Sequence, residues 1–265
     1  MKAGKLRRLG SRVKAGLGNR LGKGRPRLFS HFALDGKELE PHRSQLPGPL
    51  ERSFYRHRGR VAHKWLHYLP VYDRLFARFR GRDVTIIEIG VNRGGSLELW
   101  RDFFGPGARI VGIDIDPACA ERVSPPSRVM IGSQDDPEFL ERVVAETGPP
   151  DIVLDDGSHV GRHQIASFRA LFPALRDGGL YLIEDLQTSY LEGVHEGGYG
   201  RPGTGVEFLK SLIDDMHGWY HDEPHWRLAR DRIGSIRIFD GIAAIEKIPP
   251  KIRPGHYRSG RVSGN

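Results

Sequence analysis

The chain has 265 residues, 28% charged and 38% hydrophobic, which supplies a sizeable core and excludes a disordered or fibrous protein. Its single cysteine, Cys119, excludes an internal disulfide framework and a cysteine-cluster metal site and suggests a reducing compartment; no apolar run approaches membrane-spanning length. The formal charge is +8, but residues 1–28 hold ten Lys/Arg and no acid, so the rest of the chain nets −2 and the basicity belongs to a tail.

That tail lacks the continuous apolar stretch of a secretory signal. Leu6, Leu9, Val13, Leu17 and Leu21 recur at helical spacing opposite Arg and Lys. Gly4, Gly10, Gly16, Gly18, Gly22 and Gly24 would each cost such a helix about 1 kcal/mol, which favours a solvated tail. An Arg-rich, acid-free start also resembles an organelle transit peptide, and that alternative stays open. The tail's charge further suits peripheral contact with an anionic membrane at its inner face, for a protein otherwise expected in the cytoplasm. Residues 29–60 read as a Pro- and charge-rich extension, 61–250 as the folded domain, and 251–265 as a C-terminal tail.

Aromatic and aliphatic residues at helical spacing between His63 and Phe79, interrupted by Pro70, predict two short helices covering a sheet. Asp83 to Gly90 is a continuous apolar run of the kind expected for a strand buried on both faces. Residues 108–114, 128–131, 151–154 and 179–183 repeat that pattern. Helical stretches at 96–104, 136–146 and 162–175 separate them. Strands alternating with helices specify a doubly wound, mostly parallel α/β sheet. After a helix near 205–217, Trp226–Arg230, Ser235–Phe239 and Ile242–Ile248 read as late strands forming an antiparallel edge. A seven-stranded, Rossmann-like sheet so closed resembles the class I methyltransferase fold.

In open sheets of this kind ligands bind beyond the carboxyl ends of the strands. The first strand ends in Glu88-Ile-Gly-Val-Asn-Arg-Gly-Gly-Ser96, whose Gly90 and Gly94 admit a ligand to the backbone beside Asn92 and Ser96. Glu88, within an apolar strand end, needs a cation or hydrogen-bond donors. A dinucleotide fingerprint would place Gly at 92, so Asn92 weakens a nicotinamide reading. Asp114 ends the second strand, 24 positions after Gly90, where a carboxylate can accept both hydrogen bonds of a ribose diol; its other reading is a helix cap. Gln134 and Asp135 follow the third strand within reach of an adenine amine, and Asp136 is placed to cap the next helix. With Asp155 these residues favour an adenosine-containing cofactor.

The fourth and fifth strands end in Asp155-Asp156-Gly-Ser-His159 and Glu184-Asp185-Leu-Gln187-Thr-Ser-Tyr190, crowding four carboxylates into two turns. On adjacent strands, Asp156, Glu184 and Asp185 would converge, and a divalent cation would relieve their repulsion. All-oxygen ligation suits Mg²⁺ better than Zn²⁺. The competing reading is helix caps and pairs with Arg162 or Arg176. His159, three residues past Asp156, is placed to accept a proton; His163, one turn on, competes for that role.

Lys64-Trp65, His67-Tyr68 and Tyr72, with the EIGVNRGGS turn, GSQDDPEFL, DDGSH and IEDLQTSY, resemble the metal-dependent sugar O-methyltransferases of macrolide biosynthesis acting on mycinamicin and macrocin. The resemblance runs from about His63 to Lys247, includes the gap of 28 between Asp156 and Glu184, and leaves out the basic tail. It implies S-adenosylmethionine as methyl donor, Mg²⁺ on Asp156, Glu184 and Asp185, His159 as general base, and a sugar-containing acceptor. Tyr68, Tyr72, Gln187 and Tyr190 are candidate acceptor contacts, and the loop from Gly193 to Gly205 a candidate lid. Two rivals remain: a nicotinamide oxidoreductase shares the fold, and a nucleic-acid-binding protein would use the tail. Basic residues gathered ahead of the domain, not interleaved with aromatics, argue against nucleic acid. Whether the chain forms a homo-oligomer is open from sequence.

Overall fold

Helical stretches lie between the first five apolar segments, and such crossovers let neighbouring strands run parallel. The computed structural model describes residues 44–223 and 226–260. The basic tail and residues 261–265 lie outside the described residues.

The described chain opens with α1 (Pro49–Arg56), a turn at Leu66–Tyr68 leading into α2 (Leu69–Phe76), and a further turn at Ala77–Phe79. There follow β1 (Thr85–Ile89), α3 (Gly95–Phe104), β2 (Arg109–Asp114), α4 (Ala118–Arg122), β3 (Arg128–Ile131) and α5 (Pro137–Thr147). Next come β4 (Ile152–Asp155), α6 (Gly161–Leu171), β5 (Leu180–Ile183), a 3₁₀ turn at Leu186–Tyr190, and α7 (Gly205–Met216). The chain finishes with α8 (Arg227–Arg232), β6 (Ile233–Phe239) and β7 (Ile242–Lys247). The seven strands form one sheet ordered β3-β2-β1-β4-β5-β7-β6, parallel except where β7 pairs antiparallel with β5 and β6.

Two cores follow from the two-residue period of the strands. Ile86, Ile152, Leu154, Leu180 and Leu182 point to one face, where Tyr68, Tyr72, Phe76, Trp100 and Phe104 cover them. Ile87, Val153, Tyr181 and Ile183 point to the other, against Phe139, Phe168, Phe172 and Leu212. This alternation decides which acid at each strand end faces which layer.

Three expectations are corrected. Trp226–Arg230 is not a strand: Trp226, Ala229 and Ile233 stand at helical spacing and face the core, with the Trp226 ring 5.5 Å from Phe168. The alternation of Trp226, Leu228 and Arg230 mimics a strand period, but burial of Ala229 decides for the helix. Order also starts earlier than residue 61. The N-terminus of α1 is capped by a distant residue: the Asp73 carboxylate accepts from the Leu50 and Glu51 amides at 2.8 and 3.2 Å. Pro70 does not interrupt a helix but sits in the first turn of α2, where its missing N–H is not needed. Among the described residues no helix is long and apolar enough to cross a membrane.

Gly90 sits between β1 and the loop after β4, at φ +94°, where a Cβ would collide with the carbonyl oxygen of Asp156. We expect Gly90→Ala to lower unfolding free energy by about 1–3 kcal/mol in urea titration; an unchanged midpoint would show that this approach is not tight.

Candidate active site

The strand ends gather the candidate residues along one edge of the sheet, and strand parity sorts the acids. Glu88, Asp156 and Glu184 share the parity of Ile86, Leu154 and Leu182, so they turn toward the layer made by α2 and α3. Asp155 shares the parity of Val153 and turns the other way, toward α6.

On the first side the three acids meet Lys64. Its ammonium donates to Asp156 Oδ2 at 2.6 Å and to both Glu184 oxygens at 3.0 Å, and stands 3.6 Å from Glu88 Oε1. The lysine side chain is 3% exposed. Burial alone would lower its pKa, but Asp156, Glu184 and Glu88 outweigh that and hold it well above the usual lysine range. Glu184 moves the same way for a different reason: burial and the neighbouring Asp156 push it up, and Lys64 offsets only part. Burial likewise raises Glu88, although Ser96 Oγ donates to its Oε2 at 2.8 Å. Three carboxylates sharing one ammonium are short of positive charge.

Glu184 also accepts from the Tyr72 hydroxyl in a short hydrogen bond. Its carboxylate is thereby held on Lys64 and Tyr72, sharing the ammonium with Asp156, which also faces His159. Asp185 escapes strand parity by adopting a left-handed backbone, φ +55°. Its Oδ1 accepts from Trp65 Nε1 at 3.0 Å, Tyr68 OH at 3.0 Å and Gln187 Nε2 at 3.1 Å. Its Oδ2 lies 3.5 Å from His159 Nε2, and Asp156 Oδ1 lies 3.9 Å from the same nitrogen. One ligand atom from each of Asp156, His159 and Asp185 falls within 4.8 Å of the others. Each carboxylate is thus fixed by one oxygen and presents the other. His159 is also left-handed, φ +58°, and its ring meets that of His195 edge-on at 5.7 Å. Two strained non-glycine residues side by side mark the place where local preference yields to geometry. An imidazole beside two unspent carboxylate oxygens fits a divalent cation by donor chemistry.

Tyr68 and Tyr72 are fully buried and offer no surface to an acceptor; they orient Asp185 and Glu184 instead. Gln187 likewise serves Asp185, while Tyr190 is 48% exposed, with its ring 6.3 Å from that of Tyr199. Arg162 and Arg176 do not compensate the cluster: they pair with Glu196 and Asp151. His163 spends its nitrogens on Asp135 at 3.2 Å and Ser158 at 2.9 Å, away from the cluster. Asp136 caps α5 through Phe139 N, as expected.

The donor-side candidates divide as well. Gly90, Asn92 and Gly94 make the turn after β1, all with positive φ. Asp114 stitches that turn: its Oδ2 accepts from the Val91 and Asn92 amides at 2.9 and 3.0 Å, and its Oδ1 from Asp116 N at 2.9 Å. Three of the roughly four acceptor sites on that carboxylate are thus used by the loop backbone. Asp135 is exposed beside the turn and held below the usual carboxylate range, first by the Ser133 hydroxyl. Gln134 and Asp155, by contrast, are structural. Gln134 Nε2 donates to Asp155 at 3.0 Å and its Oε1 accepts from Ser158 N at 2.7 Å, while Asp155 also receives Ser167 Oγ at 2.7 Å. Glu88 and Ser96 are buried behind the turn. Lys64 and Trp65 were visible only as parts of a family pattern; no local spacing assigns them to the acids, since the contacts span 92 to 120 residues.

A methyltransferase-domain family model matches residues 87–186, from within β1 to the first residue of the turn after β5. With the strand order above, the chain carries a methyltransferase domain of the class I fold. It resembles, in particular, the sugar O-methyltransferases of macrolide and related pathways. It is 40% identical over 236 residues to the 8-demethyl-8-(2-methoxy-alpha-L-rhamnosyl)-tetracenomycin-C 3'-O-methyltransferase of Streptomyces olivaceus, covering 83% of this chain and 59% of that one. It is 40% identical over 200 residues to the mycinamicin VI 2''-O-methyltransferase of Micromonospora griseorubida, covering 69% and 49%. The solved MycE methyltransferase of the mycinamycin pathway, in complex with Mg, SAH and mycinamycin VI, superposes with a TM-score of 0.66 at 36% identity, covering 78% of this chain and 55% of that chain. The chain spans about half the length of the curated relatives it matches.

The Asp155-Asp156 pair can be separated by experiment. Asp155→Ala should cost about 1–3 kcal/mol for each buried donor it strands, in urea unfolding, yet keep Mn²⁺ binding. Asp156→Ala should lose Mn²⁺ binding. The opposite pattern would reverse the assignment.

Proposed function

We propose that this protein transfers a methyl group from S-adenosylmethionine to a sugar hydroxyl of a glycoside, glycolipid or polysaccharide, with Mg²⁺ at the Asp156–His159–Asp185 cluster. The observation that carries this reading is the convergence of two half-used carboxylates and an imidazole within 4.8 Å at the strand edge where this fold takes its ligands. The sugar O-methyltransferases at 40% identity support the acceptor class, and the Mg and SAH in the related MycE structure support the two cofactors.

The donor would lie over the turn of Gly90, Asn92 and Gly94, with Asp114 and Asp135 at its rim, and supplies an electrophilic methyl on a sulfonium. Asp156 Oδ1 and Asp185 Oδ2 would hold the cation, whose contribution is to lower the pKa of an acceptor hydroxyl and to offset the excess negative charge. His159 Nε2, between the two carboxylates, accepts the hydroxyl proton. Trp65, Tyr68 and Gln187 keep Asp185 aimed, so the attacking oxygen, the base and the methyl can be brought into line. Tyr190 and Tyr199, exposed with their rings 6.3 Å apart, would offer an aromatic surface to the acceptor. The basic residues 1–28 would add peripheral contact with an anionic membrane, a role that cosedimentation with anionic vesicles tests.

Labelled S-adenosylmethionine with a panel of glycosides tests the activity. We expect transfer to a sugar hydroxyl, its loss in EDTA and its return with Mg²⁺; full transfer in metal-free buffer would contradict the role of the cluster. His159→Ala should lower turnover about 10²–10⁴-fold with calorimetric affinity for S-adenosylmethionine nearly unchanged. A large loss of donor affinity would make His159 structural.

A further inference from the structure

Lys64 is a buried charge at the site for which neither methyl donation nor proton removal has a use. It arrives from the extended segment ahead of the Leu66–Tyr68 turn, with the rings of Tyr72 and Trp100 each 5.9 Å from its ammonium. Carboxylates from three neighbouring strands surround that ammonium: Glu88 near the end of β1, Asp156 just after β4 and Glu184 just after β5. A charge this far from water is stable only when paired, and so is each of its partners. The buried Glu88 carboxylate is served by the Ser96 hydroxyl and the Trp100 indole, and Lys64 is the cation facing its Oε1.

We propose that Lys64 is a resident counter-cation, a positioning residue that holds Asp156 and Glu184 in place when no divalent ion is bound, so that the cluster is assembled before the ion arrives. The inference rests on the metal reading of the preceding section. Its geometric basis is the division of the Asp156 carboxylate, Oδ2 on Lys64 and Oδ1 toward His159 Nε2. An ion on the second oxygen would bring charge to a carboxylate that the lysine alone neutralises in its absence. The ammonium and the ion therefore serve the same acids from opposite sides, and removing the first should make the fold lean on the second.

Thermal unfolding of the full chain, in EDTA and in excess Mg²⁺, tests this with Lys64→Met, which keeps the length of the side chain and drops its charge. The wild type should melt within a few degrees of itself in the two buffers. The variant should melt roughly 10 °C lower in EDTA and regain most of that loss with Mg²⁺. A variant as stable as the wild type in EDTA overturns the proposal. So does an equal loss in both buffers, which is what a lysine needed only for packing would give. If Lys64→Met does not fold, the double variant Lys64→Met/Glu184→Gln decides: removing one stranded acid should restore a melting transition in EDTA, and failure to do so contradicts the charge argument. A Mn²⁺ titration of the wild type followed by electron paramagnetic resonance keeps the two readings apart. Absence of Mn²⁺ binding would sink the metal site, whereas the counter-cation role is still decided by the EDTA melts and the double variant.

Discussion

Negative charge gathered out of water is the constraint on which the rest of this molecule turns. Glu88, Asp156 and Glu184 are carried to one side of the sheet by the alternation of their strands, and a single ammonium meets all three. Burial raises the proton affinity of Glu88 and Glu184, and the like charge of Asp156 adds to it. The residues around them are arranged accordingly. Tyr72 and Ser96 donate to the acids, and the segment carrying Lys64 is pinned over the sheet edge by the same contacts that keep the acids apart. Stability of the N-terminal cover and order at the site are therefore one problem with one solution.

Chemistry enters where the regular structure stops. Asp185 and His159 both take left-handed backbones, a conformation that side chains other than glycine rarely adopt. Each departs from the direction its strand or loop would give it, and the two departures bring Oδ2 and Nε2 to 3.5 Å. Hydrogen bonds from Trp65, Tyr68 and Gln187 hold Asp185 there against its local preference. The turn after β1 is built on the same terms: Gly90 because no side chain fits against Asp156, Asn92 because the Asp114 carboxylate fixes its amide.

Much of this was legible in the sequence. The five parallel strands, the antiparallel edge and the polar strand ends all follow from apolar runs and their period, and Glu88 does meet both a cation and a donor. Parity could have gone further: Asp155 stands in register with Val153, so its burial against Gln134 and Ser167 was available from the alternation of β4. What was not legible depends on long-range contact. Nothing near Lys64 in the chain indicates that it reaches Asp156 and Glu184, and nothing near Tyr68 indicates that its hydroxyl serves Asp185 from inside the core. Residues 226–230 failed for a related reason, since a pattern with two periods was resolved only by what Ala229 packs against.

The most direct test of the account is a crystal structure of the protein with Mn²⁺, read from the anomalous difference map. It predicts one peak at coordination distance, about 2.0–2.3 Å, from Asp156 Oδ1 and Asp185 Oδ2, beside His159. A peak elsewhere, or those two oxygens turned away from each other with no ion between them, would contradict it.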